Sequence, residues 1–179
     1  SQRTWTLAVT CVQDEPALRQ VANFPKAPTS GVPVTITAKI TDPNGVQSAT
    51  LQYQLVDPGS YIAITDATYA TNWTSLPMFD DGTHGDATAG DGTYTATMAA
   101  SFQVNRRLIR YRISSTDSLG ASITAPYADD QQPNFAYYVY NGAPAWTGAA
   151  QPGVTSPVTY SSALMNSMPN YILISKQTD

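Results

Sequence analysis

An all-β, antiparallel sandwich of the immunoglobulin or fibronectin type III kind is the fold this sequence predicts. Three observations carry that prediction. Apolar and polar residues alternate with period two over several strand-length segments. Turn signals built from Asp, Asn, Gly and Pro recur roughly every 8 to 15 residues. Finally, Glu15 is the only glutamate among 13 acidic residues, and only three lysines are present, so surface-helix formers are scarce.

The elements follow in chain order. In "VPVTITAKI", Val32, Val34, Ile36, Ala38 and Ile40 alternate with Pro33, Thr35, Thr37 and Lys39. That is a strand with one buried face, and Pro33 marks its start or an edge. "TDPNG", Thr41 to Gly45, is a turn by residue type. In "ATLQYQLV", Ala49, Leu51, Tyr53 and Leu55 face one way and Thr50, Gln52 and Gln54 the other, so this strand should pair antiparallel with the first. "DPGS" breaks the pattern at Asp57, and "YIAIT" and "WTSLPMF" are shorter, less regular strand candidates. Further on, Tyr94, Ala96 and Met98 alternate with threonines. "RLIRYRISSTD" places Ile109, Tyr111 and Ile113 inside and Leu108, Arg110 and Arg112 outside. "DSLG" is a turn and "ASITA" a further strand. Phe135, Tyr137 and Val139 fit an inward face, with Tyr138 and Tyr140 on the other. Tyr111 is a candidate for the tyrosine found at sandwich corners. A short helix is expected near Ser161 to Met168.

The expected organisation has four parts. Residues 1–16, with "TWTLAVT", form an N-terminal segment or the remnant of a preceding domain. Residues 17–140 form the sandwich, and the Gly/Pro/Thr-rich run 141–160 reads as a linker. Residues 161–179 read as the truncated start of a following domain.

Composition excludes several function classes. The net charge of -4 provides no concentrated basic face for nucleic acid. Cys11 is alone, so neither an intrachain disulfide nor a cysteine-based zinc cluster can form. No stretch approaches the roughly 18 apolar residues of a membrane span. Charged residues are 12% of the chain against a usual level of about 25%, and Thr, Ser, Gln and Asn take their place, which suits an extracellular β-rich protein.

The candidate site is "MFDDGTHGDATAGDGTY", Met78 to Tyr94. Asp80, Asp81, Asp86 and Asp91 cluster there, with Gly82, Gly85, Gly90 and Gly92 between them. Clustered carboxylates repel unless a cation sits among them. Ca²⁺ takes six to eight oxygens, and glycines let backbone carbonyls turn inward. The composition suits a calcium loop, although not with EF-hand spacing. The plain alternative is a long polar turn, since Asp-Gly pairs are common turn formers. His84, the chain's only histidine, is a poor start for a zinc site. Paired carboxylates for glycosidase chemistry would be expected on a rigid cleft, not one continuous loop.

Two further features stand out. Arg106, Arg107, Arg110 and Arg112 form a small basic stripe, read as an exposed strand face neutralised by nearby Asp or Thr partners, or as a docking surface for an acidic partner or neighbouring domain. The run "NFAYYVYNGAPAW" carries Tyr138, Tyr140 and Trp146, whose rings suit a domain junction or a sugar. No nucleophile elbow, phosphate loop, dinucleotide fingerprint or HExxH motif occurs.

The runs "DDGTHGDATAGDGTYTATM" and "RLIRYRISSTDSLGASITAPYADDQQPNFAYYVYNGAPAWTGA" resemble the β-sandwich segment upstream of the kinase-like domain in bacterial secreted proteins of the spore coat protein H (CotH) kinase family. "VTITAKITDPNGVQSATLQYQLV" fits the front half of that segment, and "MPNYILISKQTD" resembles the opening strand of the kinase-like domain. The likeness covers roughly Ala17 to Trp146. It implies an exported, multidomain parent whose nucleotide-binding and catalytic residues lie outside this chain. The function expected is therefore non-catalytic. The module would space or orient neighbouring domains, secreted or at the bacterial cell surface, with calcium stiffening the Asp/Gly loop. The alternative is a carbohydrate- or protein-binding module using Tyr138, Tyr140 and Trp146. An enzyme built on Asp80, Asp81 and His84 is the third reading.

Overall fold

Alternating β-branched residues need a partner sheet to cover their apolar face, and here two sheets cover each other. The computed structural model describes residues 14–176. One sheet has the order β1-β2-β5, from β1 (Ala17–Phe24), β2 (Val34–Thr41) and β5 (Thr93–Met98). The other is built on β3 (Val46–Val56) and β6 (Leu108–Asp117). β4 (Thr74–Pro77) pairs with β3, while β7 (Ser122–Ala125) and β8 (Phe135–Tyr138) pair with successive stretches of β6. Every pairing is antiparallel. The fourth strand joins the sheet of β3 and β6, not the sheet of β1 and β2. The fold is an antiparallel immunoglobulin-like sandwich with fibronectin III-like strand order.

The core lies where the sequence alternation places it, except that Val32 precedes β2 and is exposed. Val34, Ile36, Ala38 and Ile40 from β2 meet Ala49 and Leu51 from β3, Ala96 and Met98 from β5, and Ile109, Tyr111 and Ile113 from β6. Tyr137 and Val139 are also buried. Ser161 caps the short helix α2 (Ser162–Met165), its Oγ accepting from the Leu164 N–H at 3.3 Å. That is the helix expected from the sequence.

Five expectations need correction. β2 and β3 do not pair with each other: the turn between them crosses from one sheet to the other, so β2 pairs with β1 and β5 while β3 pairs with β4 and β6. "YIAIT" is not a strand; the chain turns there and then forms the helix α1 (Ala67–Thr71). Arg110 and Gln54 do not face solvent, being 4% and 1% exposed. The cause is the crossover from Asp57 to Trp73, which lies on the outer face of the β3–β6 sheet. The Arg110 guanidinium donates to the Ile62 carbonyl at 2.8 Å and sits 4.9 Å from the Tyr61 ring and 5.6 Å from the Tyr69 ring. Arg112 lies 4.4 Å over Trp73, and the Gln54 amide donates to the Tyr69 carbonyl at 2.8 Å. Arginine stacks flat on aromatic faces, so Arg110 and Arg112 of the stripe become a packed layer, while Arg106 stays exposed. Tyr111 sits mid-strand against Phe135 and Tyr137, while the hydroxyl that ties back to the first strand belongs to Tyr127, donating to the Leu18 carbonyl. The run 141–160 is not featureless: β9 (Trp146–Gly148) and β10 (Val158–Tyr160) pair as a small two-stranded sheet. The "TWTLAVT" strand candidate and Cys11 lie outside the described residues.

The pairing registers give the sandwich two ends. Ala17 pairs with Thr41, beside the turn that leads into Val46, so the described chain enters at that end. Tyr138 pairs with Leu108, which pairs with Val56, so the chain leaves at the opposite end.

Arg110→Ala should remove a charged hydrogen bond and two ring contacts, a loss of about 2–4 kcal/mol. Urea denaturation reads the loss, and limited proteolysis should cut first between Asp57 and Trp73. An unchanged midpoint would mean that the crossover holds itself in place.

Candidate functional site

The Asp/Gly loop lies at the entry end and links the two sheets. Its first residues bridge them: the Met78 N–H donates to the Ala49 carbonyl of β3 at 2.9 Å, and Phe79 exchanges backbone bonds with Thr95 of β5 at 2.9 and 2.7 Å. An open strand edge invites pairing with another chain. Here the loop occupies part of the open edge of β5.

Each aspartate has its own local task. Asp80 closes the loop: its carbonyl accepts from Gly90 N–H at 3.2 Å, its Oδ1 from Asp91 N–H at 3.1 Å and its Oδ2 from Gly92 N–H at 2.8 Å. Gly92 has a φ of +78° and passes its carbonyl to the Ile40 N–H at 2.8 Å. Asp86 is 9% exposed; its Oδ2 accepts from Gly82 N–H at 2.8 Å and its Oδ1 from the Thr95 hydroxyl at 3.4 Å. Gly85, at φ +92°, lies so close to β5 that a Cβ would come within 2.6 Å of Thr97 Oγ1. This close approach buries Thr95 from outside the sandwich. Asp91 Oδ1 accepts from Thr93 N–H at 2.7 Å, and Lys39 donates to the Asp91 carbonyl.

Asp81 and His84 form a surface pair. Asp81 Oδ1 accepts from both the backbone N–H and the hydroxyl of Thr83, at 2.8 and 2.7 Å, and Oδ2 lies 2.9 Å from His84 Nδ1. An ionised carboxylate only accepts, so this contact places the proton on Nδ1. The imidazole stacks on Phe79 with centroids 4.3 Å apart. The Thr83 hydroxyl bond, foremost among several contacts, holds the Asp81 carboxyl below the usual value of 3.8, and the Thr93 side-chain bond does the same for Asp91.

Calcium needs several oxygens aimed at one point. Among the described residues, no three Asp, Glu, His or Cys side chains gather as a metal-holding group. The structure joins Asp80 to Asp91 and Asp81 to His84, and turns Asp86 to Gly82 and Thr95.

The aromatic candidates divide between two places. Tyr138 and Tyr140 lie at the exit end, half-buried, with centroids 6.2 Å apart. Trp146 belongs to the separate β9–β10 sheet and stacks on Tyr160 at 5.6 Å. Chain order alone cannot reveal this, because the Tyr160 partner comes 14 residues later in a run that reads as linker. Also unforeseen are Asn141 and Asn166, which fix the departing chain. Asn141 Oδ1 accepts from Ser30 N–H at 2.8 Å, and Asn166 Oδ1 accepts from Ala143 N–H at 2.8 Å. Lys176 forms backbone bridges with Gly59 and Ser60 and an ion pair with Asp66 at 3.1 Å. No protein-family model matches the chain, and no curated protein matches it.

Asp86→Ala should cost about 1–3 kcal/mol, because it strips the partner from a loop amide and a buried hydroxyl. Asp91→Ala, at an exposed turn, should cost less. Depressed carboxyl values contribute stability above the ordinary value of 3.8 and lose it as pH falls through the folded value. The Asp81 and Asp91 contributions should therefore fade below about pH 4. Thermal melts of the variants at pH 7 and pH 3 check both statements; equal losses for the two variants would refute the ranking.

Proposed function

We propose that the chain is a non-catalytic β-sandwich module that spaces and orients neighbouring parts of a larger protein. The observation that carries this reading is the polar arrangement of entry and exit. The described chain comes in beside Thr41 and leaves beside Val56, at opposite ends of the sandwich. Modules strung in series need this geometry. The departing segment is also fastened to the rest of the chain by Asn141 and Lys176, and Asn166 ties it to itself at Ala143. The likeness to the sandwich segment of CotH-kinase-type proteins supports a secreted or cell-surface bacterial parent whose chemistry resides in another domain.

Within this role the Asp/Gly loop is a clasp on the entry end. Calcium stiffening belongs to the proposal on the strength of composition. A bound ion would have to replace several of the carboxylate–amide bonds with metal bonds. Glycan or protein binding through the exit end is the second reading, favoured by the half-buried Tyr138 and Tyr140 in clefts there.

Two measurements test the proposal. Spin labels at positions 19 and 159 should show a narrow distance distribution that broadens in Asn141→Ala; a distribution already broad in the unaltered chain would remove the orienting role. Melting in excess EDTA and then in millimolar Ca²⁺ should show a midpoint rising with calcium, by mass action on the native state. No shift would remove calcium and leave the loop held by its own aspartates.

A further inference from the structure

Arg106 is the one arginine among the described residues whose guanidinium has no partner. Arg19 donates to Thr41 Oγ1, Arg107 to Asp57, Arg110 to the Ile62 carbonyl and Arg112 to Gln52. Arg106 is exposed, on a backbone with φ +69°, a conformation that costs energy for a residue with a Cβ. Its own N–H donates to the Val139 carbonyl at 2.7 Å, so the backbone is pinned while the cation is free.

Two clefts meet at this residue. One is lined by Tyr138 with Asp57 and Lys176, the other by Tyr140 together with Asn105 and Asn141, and Arg106 lines both. The second cleft has two amides of fixed orientation. Asn105 Oδ1 accepts from Asn141 N–H at 2.9 Å, and Asn141 Oδ1 accepts from Ser30 N–H at 2.8 Å. Each Nδ2 is then a donor without a partner among the described residues. The clefts therefore offer one unpaired guanidinium, two amide donors and two half-buried tyrosine rings, and the one carboxylate that lines them, Asp57, is paired with Arg107 at 2.8 Å.

We infer that this surface is a binding site for an acidic sugar, a uronic-acid unit within a glycan. The guanidinium takes a carboxylate through two parallel hydrogen bonds. The amide donors suit ring and hydroxyl oxygens, and the tyrosine rings offer flat apolar faces to the C–H side of a pyranose. A neutral glycan leaves the guanidinium unused, and an acidic peptide leaves the ring faces without a matching plane. Two adjoining clefts that share Arg106 suit two consecutive sugar units. The chain's net charge of -4 opposes general anion attraction, so recognition here is local. This inference goes beyond the spacer role and fails separately from it: loss of sugar binding leaves the distance distribution between labels untouched.

The test is calorimetric titration of the chain at low salt with trigalacturonate, a hyaluronan tetrasaccharide and an alginate trimer, alongside maltotriose and pentaglutamate. The expected result is saturable binding of at least one uronic oligosaccharide and none of maltotriose or pentaglutamate. Arg106→Gly and Tyr140→Ala should each weaken binding roughly tenfold or more. Arg106→Gly should keep or raise the melting temperature, because glycine adopts positive φ without strain. Arg106→Gln, which retains the Cβ, serves as the second charge-removing variant. The inference is overturned if no uronic oligosaccharide binds, if both Arg106 variants bind as the unaltered chain does, or if maltotriose binds equally. Equal binding of pentaglutamate would also overturn it and assign the site to acidic peptides.

Discussion

The long antiparallel ladder between β3 and β6 is the constraint on which the rest of this structure depends. It runs from Val46 opposite Asp117 to Val56 opposite Leu108. Its inner face presents Leu51, Ile109 and Ile113 to the other sheet, all fully buried. Its edges receive β4 on one side and β7 and β8 on the other. Its outer face holds the arginines and Gln54 that fasten the crossover from Asp57 to Trp73. A slip of one residue in this ladder would turn every one of those side chains to the wrong face.

A chain this poor in charge spends its charge on structure. The aspartates of the Asp/Gly loop cap backbone amides, which would otherwise go unpaired in a segment with no ladder to join. Asp117 does the same at the β6–β7 turn, where its Oδ1 accepts from Leu119 and Ala121 at 2.9 and 2.7 Å. Arg110 and Arg112 extend the same economy to cations, lying against rings that the crossover brings over the sheet. Against this background, Arg106 is the exception among the described arginines, its guanidinium unpaired on strained backbone beside two tyrosines.

The two candidate surfaces lie at opposite ends. The Asp/Gly loop bridges both sheets where the chain enters, and it shields part of the β5 edge. The Tyr138 and Tyr140 surface lies where the chain leaves. A module with a clasp at one end and a fastened exit at the other can transmit orientation along a chain while keeping its exit surface open to a ligand.

The sequence by itself determined the fold class and, for β2, β3, β5, β6 and β8, the strands and their inward faces. Period-two alternation is a direct record of which residues meet the core, and Asp, Gly and Pro mark turns through backbone preferences that act locally. Val34 to Ile40 and Ile109 to Ile113 are legible for this reason. It also located the Asp/Gly loop and the short helix after Ser161. Only the tertiary structure decided what covers the outer face and where each polar group is spent. Arg110 reads as exposed because alternation reports a side and not a degree of burial; its cover arrives from Tyr61 and Tyr69, some 40 to 50 residues earlier. The four aspartates read as a cluster because they are close in sequence. Positive-φ residues such as Gly85 and Gly92 bend the backbone, and the aspartate carboxylates reach different amides, a matter of backbone path that composition does not record.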